Sequence, residues 1–231
     1  MIVCVYALVS SSSSVRKLTG VGGEQLRTIP LDGVTAIAGR VTHRPAASTR
    51  NLRQYATVVE SIAARVPAIL PARFGTTFDD LTELTLVLRS RGAVLRDRLR
   101  AVRGRTQMTI RLVSESESGD DSRARQSRAA GRGRVRLEHT ATQGAQYLRQ
   151  RLAALRTARE VPEFAAIRPA IRRFVRDERV ERRGGIATVH HLIPRAMAQR
   201  YSAAVARAAA KGGIRLVVSG PFAPYAFADN W

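Results

Sequence analysis

Cysteine is nearly absent from this 231-residue chain. The single Cys4 excludes an internal disulfide, and its place between Val3 and Val5 marks a small buried side chain in a strand rather than a reactive thiol. Aromatic residues are scarce too, at 5%, which leaves few platforms on which nucleic-acid bases stack. Long hydrophobic runs are missing. The longest, Ile2–Val9, falls far short of the roughly 20 residues that span a bilayer and lacks the charged leader of a secretory signal, so a soluble, cytoplasmic protein without membrane contact is expected. Four histidines (His43, His139, His190 and His191) give no zinc spacing, and neighbours such as His190 and His191 in a strand point to opposite faces. There is no Gly-x-Ser-x-Gly elbow, and Gly20-Val21-Gly22-Gly23 lacks the rest of a dinucleotide or P-loop fingerprint and reads as a turn. Without a nucleophile, base and oxyanion donor that belong together, the chain reads as non-enzymatic, with no cofactor, metal or small-molecule substrate.

Lysine is the other near-absence. Of 39 basic residues only Lys17 and Lys211 are lysines, and the excess of arginine carries the chain to a net charge of +21. This charge is spread evenly, +10 over residues 1–113 and +11 over 114–231, and not gathered into the stripe of a nucleic-acid reader. Non-specific attraction to polyanions follows from the charge alone. A basic nucleic-acid-binding protein that uses this arginine-rich surface and the arginines of the 114–136 segment is the alternative reading.

The length exceeds a common single domain of about 100–150 residues, so two are expected. The first, 1–113, reads as α+β: a strand over 2–9, a loop through the serine tract 10–14, short strands near 25–29 and 34–40, and a hairpin at 31–33. Ser48 or Thr49 can cap a helix with Leu52, Tyr55, Val59, Ile62 and Val66 on one face. Asp79 or Asp80 opens a second helix with the stripe Leu81, Leu84, Leu88, Gly92, Leu95, Leu99 and Val102; Arg89, Arg91, Arg96, Arg98, Arg100 and Arg103 miss that stripe and form a solvated face. The alternating segment 106–113 is read as the closing strand of a ferredoxin-like plait. Residues 114–136, an acidic block followed by six arginines, read as a flexible charged linker. The second domain, 137–231, is again α+β and readable as a variant plait: a helix over 143–158, strands near 174–181 and 186–193 joined across 183–185, a helix from Pro194 stopped at Gly212-Gly213, and a last strand at 214–219.

Two segments remain. Leu70-Pro71-Ala72-Arg73-Phe74-Gly75-Thr76 lies between the first two helices, and Gly220-Pro221-Phe222-Ala223-Pro224-Tyr225-Ala226-Phe227 follows the last strand. Both read as structural corners. Gly75 permits a backbone angle other residues avoid, and Arg73 is expected to turn its guanidinium onto carbonyls or a carboxylate. Pro221 and Pro224 stiffen the second corner and present Phe222, Tyr225 and Phe227 as an aromatic row. Both segments resemble signatures of the gas vesicle protein F/L family, GvpF/GvpL, as do Val5–Val9, Gly144-Ala145-Gln146-Tyr147-Leu148 and His191-Leu192-Ile193-Pro194-Arg195. This sequence departs from the family pattern at Phe222, where Trp is usual, at Ala223, where Pro is usual, and at Tyr55, commonly His. The resemblance implies an accessory or structural protein of the gas vesicle, acting in nucleation or assembly and contacting the major shell protein or other accessory proteins, with no cofactor.

Overall fold

β1 (Ile2–Val9) is apolar on both phases of its alternation, and such a strand is stable only when both faces of its sheet are covered. The structure, a computed structural model describing residues 1–10, 18–113, 161, 164–183 and 186–228, meets that demand with one helix on each face. The serine tract beyond Ser10, the linker, the expected helix over 143–158, the Gly144-to-Leu148 motif and the Gly184-Gly185 turn lie outside those residues. β1 pairs antiparallel with β3 (Val34–Val41) on one side and with β4 (Ile69–Pro71) and β5 (Thr77–Phe78) on the other, and β2 (Arg27–Leu31) extends the sheet beyond β3. The β2–β3 hairpin turns at Asp32 and Gly33, with φ of 45° and 81°, as a two-residue loop between twisted strands requires.

α1 (Thr49–Ala63) lays Tyr55, Val58, Val59 and Ile62 on Cys4, Tyr6, Val9 and Ile37. On the opposite face α2 (Leu81–Val102) lays Leu84, Leu88, Leu95, Leu99 and Val102 on Val3, Val5, Leu8, Ala36 and Ala38. Tyr6 and Ala7 fall on the same side because the register shifts between Val5 and Ala7. Each helix begins as its sequence implies. Ser48 accepts from the amide of Asn51, and Asp80 accepts from that of Glu83 while Glu83 accepts in return from the amide of Asp79, the residue before the cap. Burial pushes the Cys4 thiol up to about 11, so it stays protonated inside the sheet.

A second antiparallel sheet contains β6 (Arg105–Val113), β7 (Asp177–Arg183), β8 (Ile186–Pro194) and β9 (Leu216–Phe222) in the order β7-β8-β6-β9. Met108, Ile110, Val189, Ile193 and Val218 face α4 (Ala198–Gly212) and the segment around α3 (Arg168–Ile171). Gly213, left-handed at φ 62°, ends α4. Within this core His191, wholly buried, lies 2.5 Å from the Tyr201 hydroxyl and 2.9 Å from Glu178, which also meets Arg168 at 3.1 Å. It is a satisfied histidine, with its neighbour His190 on the other face of the sheet.

In each sheet the first strand in sequence lies between the third and the fourth, with the second at one edge. That is the plait order, reached with a correction. The segment 106–113, expected to close the first sheet, belongs to the second, pairing with β8 along its full length and with β9. The place beside β1 is already filled by β4 and β5, short strands formed from what reads in sequence as an irregular stretch. The change of sheet therefore falls along α2, and the expected boundary after Val113 does not coincide with it. Among the described residues, no helix is long and apolar enough to cross a membrane.

Because Leu88 lies in the buried stripe by which α2 covers one face of the first sheet, Leu88→Ala should cost about 2–5 kcal/mol, the usual range for a buried leucine truncation. Leu86→Ala, at a position 63% exposed on the same helix, should stay within about 0.5 kcal/mol. Urea titration of both variants checks the difference.

Candidate functional site

The two corner segments, about 150 residues apart in sequence, meet in space. β4 runs into Ala72, whose carbonyl accepts the Tyr55 hydroxyl at 2.7 Å, and Phe74 stands edge-on to the Tyr55 ring at 5.4 Å. Gly75, at φ 77°, lets the chain reverse, so that the amide and hydroxyl of Thr76 both return to the Arg73 carbonyl at 3.1 and 2.9 Å. Arg73 thus braces this corner with its backbone. Its guanidinium, expected to do so, lies instead on the exposed rim of a cleft.

The second corner leaves β9 at Gly220, whose φ of 120° and a 2.8 Å approach of a notional Cβ to the Gln107 carbonyl leave no room for a side chain. Pro221 follows through a cis peptide bond. Thr106 donates to the Phe222 carbonyl at 2.8 Å, the Ala223 amide donates to Glu60 of α1 at 2.8 Å, and the Ala226 amide donates to the Gln107 side chain at 2.8 Å. Phe227 then enters the core beneath α2, and Arg98 of α2 donates to the Ala228 carbonyl. The corner therefore ties α1, α2 and β6 together. The aromatics do not form the row expected of them. Phe227 is buried, whereas Phe222 and Tyr225 are 38% and 37% exposed and line different hollows on either side of the corner.

Tyr225 shares a cleft of about 930 Å³ with Tyr55 of α1, Pro71 of β4 and Arg73, Phe74 and Thr76 of the corner after it, and with Gln107, Arg179, Glu181 and His190 from the second sheet. Phe222 and Pro224 border a smaller hollow of about 150 Å³ beside Glu60. Burial, reinforced by the Glu60 carboxylate, raises the Tyr225 hydroxyl above its ordinary range, so it stays a neutral donor. Burial likewise holds His190 below the ordinary histidine value, with nearby Arg111 and His191 adding to the shift and Glu181 opposing it. Its Nδ1 lies 3.1 Å from the Thr109 hydroxyl and 3.2 Å from the Gln107 amide nitrogen, contacts a neutral ring can accept. The cleft thus has an aromatic wall with Arg73 on one side, and on the other a hydrogen-bonding floor of Gln107 and His190 flanked by the charged pair Arg179 and Glu181.

Of the residues singled out in sequence, Pro71, Arg73, Phe74, Thr76 and Tyr225 line this cleft. Leu70 and Phe227 belong to the core, Gly75 and Gly220 shape the corners, and Pro221, Phe222 and Pro224 face the smaller hollow. Gln107 and His190 were not legible as site residues, because the polar phase of a half-buried strand reads as solvent-facing until the other sheet is set against it. Among the described residues, no group of three or more His, Cys, Asp or Glu could hold a metal ion.

Residues 3–229 match the family model described as gas vesicle synthesis protein GvpL/GvpF. The fold is similar to the crystal structure of gas vesicle protein GvpF from Microcystis aeruginosa, with a TM-score of 0.72 at 16% identity over 99% of both chains. It is equally similar to GvpF from Anabaena sp. PCC7120, with a TM-score of 0.71 at 18% identity over 100% of this chain and 99% of that one. No curated protein sequence matches.

Gly220→Ala should destabilise the fold by at least about 2 kcal/mol, since a side chain meets both an unfavourable φ and a backbone oxygen. Arg73→Ala, by contrast, should change stability by less than about 0.5 kcal/mol; thermal unfolding of the two variants tests the contrast. His190 also sets a pH dependence. With its folded value depressed, its contribution is complete above the unfolded value of 6.5 and is lost as pH falls towards the folded one. His190→Asn should flatten the stability–pH curve on the acid side of 6.5, measured by denaturant titration at a series of pH values.

Proposed function

The chain belongs to the gas vesicle GvpL/GvpF family, and from that membership we propose that it is a non-catalytic accessory component acting in nucleation or assembly of the vesicle shell. It does so by binding the major shell protein or other accessory gas vesicle proteins, in the cytoplasm and on the growing vesicle. The observation that carries this reading is the meeting of the two family-signature segments at one cleft. Five of the twelve signature residues, drawn from both segments, line it.

The chemistry of the cleft suits a protein segment better than a small metabolite. Its walls offer a partly exposed tyrosine, a phenylalanine already fixed against Tyr55, and an exposed arginine. Such groups anchor partner side chains at little entropic cost. The floor supplies the Gln107 side-chain amide from β6 and the His190 imidazole from the neighbouring β8, polar groups fixed in place by their bonds to Ala226 and Thr109. Arg73 and Arg179 outnumber Glu181, so acidic or neutral segments are favoured.

Tyr225→Ala combined with Arg73→Ala should leave the fold intact, because both side chains lie on the rim, and should reduce capture of purified shell protein at least about tenfold, the effect of removing two interface anchors. Vesicle yield in a host lacking the native copy should fall in parallel. Normal capture and normal yield by a stably folded double variant contradict the proposal.

A further inference from the structure

A second recognition surface lies on α2, away from the cleft. On a helix of 3.6 residues per turn, Arg89, Arg96 and Arg100 fall within a narrow sector beside the buried stripe, a row of about three turns, and Arg103 follows it at the helix C-cap, where the chain turns extended. Arg96, Arg100 and Arg103 border a hollow of about 250 Å³, closed by Ser10 at the end of β1, Gly33 of the hairpin and Leu99. The Ser10 hydroxyl oxygen is buried there without a hydrogen-bond partner among the described residues. Arg96 commits one N–H to the Asp32 carbonyl at 2.8 Å, and Arg100 pairs with Asp97. A guanidinium carries five N–H donors, so each keeps most of its capacity. Both engagements are exposed; the Asp32 carbonyl carries no net charge and Asp97 offsets only one of the four cations, so the row stays positive.

This is a concave site with a surplus of cationic donors and a buried hydroxyl left to donate. We propose that the hollow and the row above it dock a carboxylate-rich protein segment, one acidic side chain seated between Arg96, Arg100 and Arg103 against Ser10, with further carboxylates along α2 towards Arg89. Guanidinium forks match carboxylates bidentately, and a straight row along one helix flank suits acidic residues repeated at helical spacing. A nucleic-acid strand would need stacking platforms as well, and the row has none: its neighbours in the hollow are Ser10, Gly33 and Leu99. The proposal rests on the reading that this protein works by contacting other gas vesicle proteins, and it names the charge that such a partner must present.

The test uses the full chain, a labelled helical peptide with Glu at every fourth position, and a labelled single-stranded oligothymidine of equal charge. Variant R96Q/R100Q/R103Q removes three cations from the hollow; R200Q/R207Q/K211Q removes three from the exposed side of α4 and controls for net charge. The hollow variant should lose peptide affinity about tenfold or more, against a loss of less than about threefold in the control, while both lose oligothymidine affinity alike. Thermal unfolding confirms that each variant is folded, and R103Q alone, which disturbs neither Asp32 nor Asp97, should show a smaller loss of the same kind. Equal peptide losses in the two triple variants, or a loss in the hollow variant confined to oligothymidine, overturn the proposal. The Tyr225→Ala, Arg73→Ala double variant keeps full peptide affinity if the two surfaces are separate, so failure at the cleft and failure at the hollow are read independently.

Discussion

The amides of Ala223 and Ala226 lie beyond the ladder of β9, in a corner where each must find an acceptor or remain costly. A buried, unpaired donor forfeits about 1–3 kcal/mol, so the choice of acceptor constrains everything around it. Ala223 finds Glu60 on the helix covering the first sheet, and Ala226 finds Gln107 on the first strand of the second. Two hydrogen bonds from four residues of chain therefore fix the corner against both units. Phe227, three residues past Pro224, then anchors beneath α2. The cleft is a consequence: its aromatic wall and its polar floor face each other because this corner holds them at that separation.

Gln107 occupies the centre of this arrangement. Its side-chain oxygen serves the corner, while its nitrogen faces Thr109 and His190 on the sheet. A residue that satisfies groups on both sides of an interface specifies orientation as well as contributing energy. The same logic explains why Arg73 is not needed as a brace. Thr76 closes its corner through backbone and hydroxyl, leaving the guanidinium at the rim and available to a partner.

Much of the fold was legible in the sequence because its signals are local. Ser48 and Asp80 announce helix starts, the stripe from Leu84 to Val102 gives the buried face of α2, and Gly213 ends the last helix. Sheet membership was not legible. The alternation in 106–113 states which side chains share a face and says nothing of which strand lies alongside, so β6 read equally well as a partner of β1. β4 was missed since three residues carry no periodicity, although Ile69 and Leu70 are fully apolar and both buried. The corners were recognised by their proline, glycine and aromatic content, but their meeting depends on β6 joining the second sheet. Without that placement Gln107 and His190 stay anonymous polar positions.

The claim that the C-terminal corner holds the two sheets in one geometry is tested most directly by hydrogen exchange at the amides of Ala223 and Ala226. If Glu60 and Gln107 hold them as described, both amides should exchange as slowly as those in the centre of β6, opening only with the fold itself. Exchange at the rate of an exposed loop, with β6 still protected, would mean that the corner opens freely and that the cleft is not a fixed feature of the molecule.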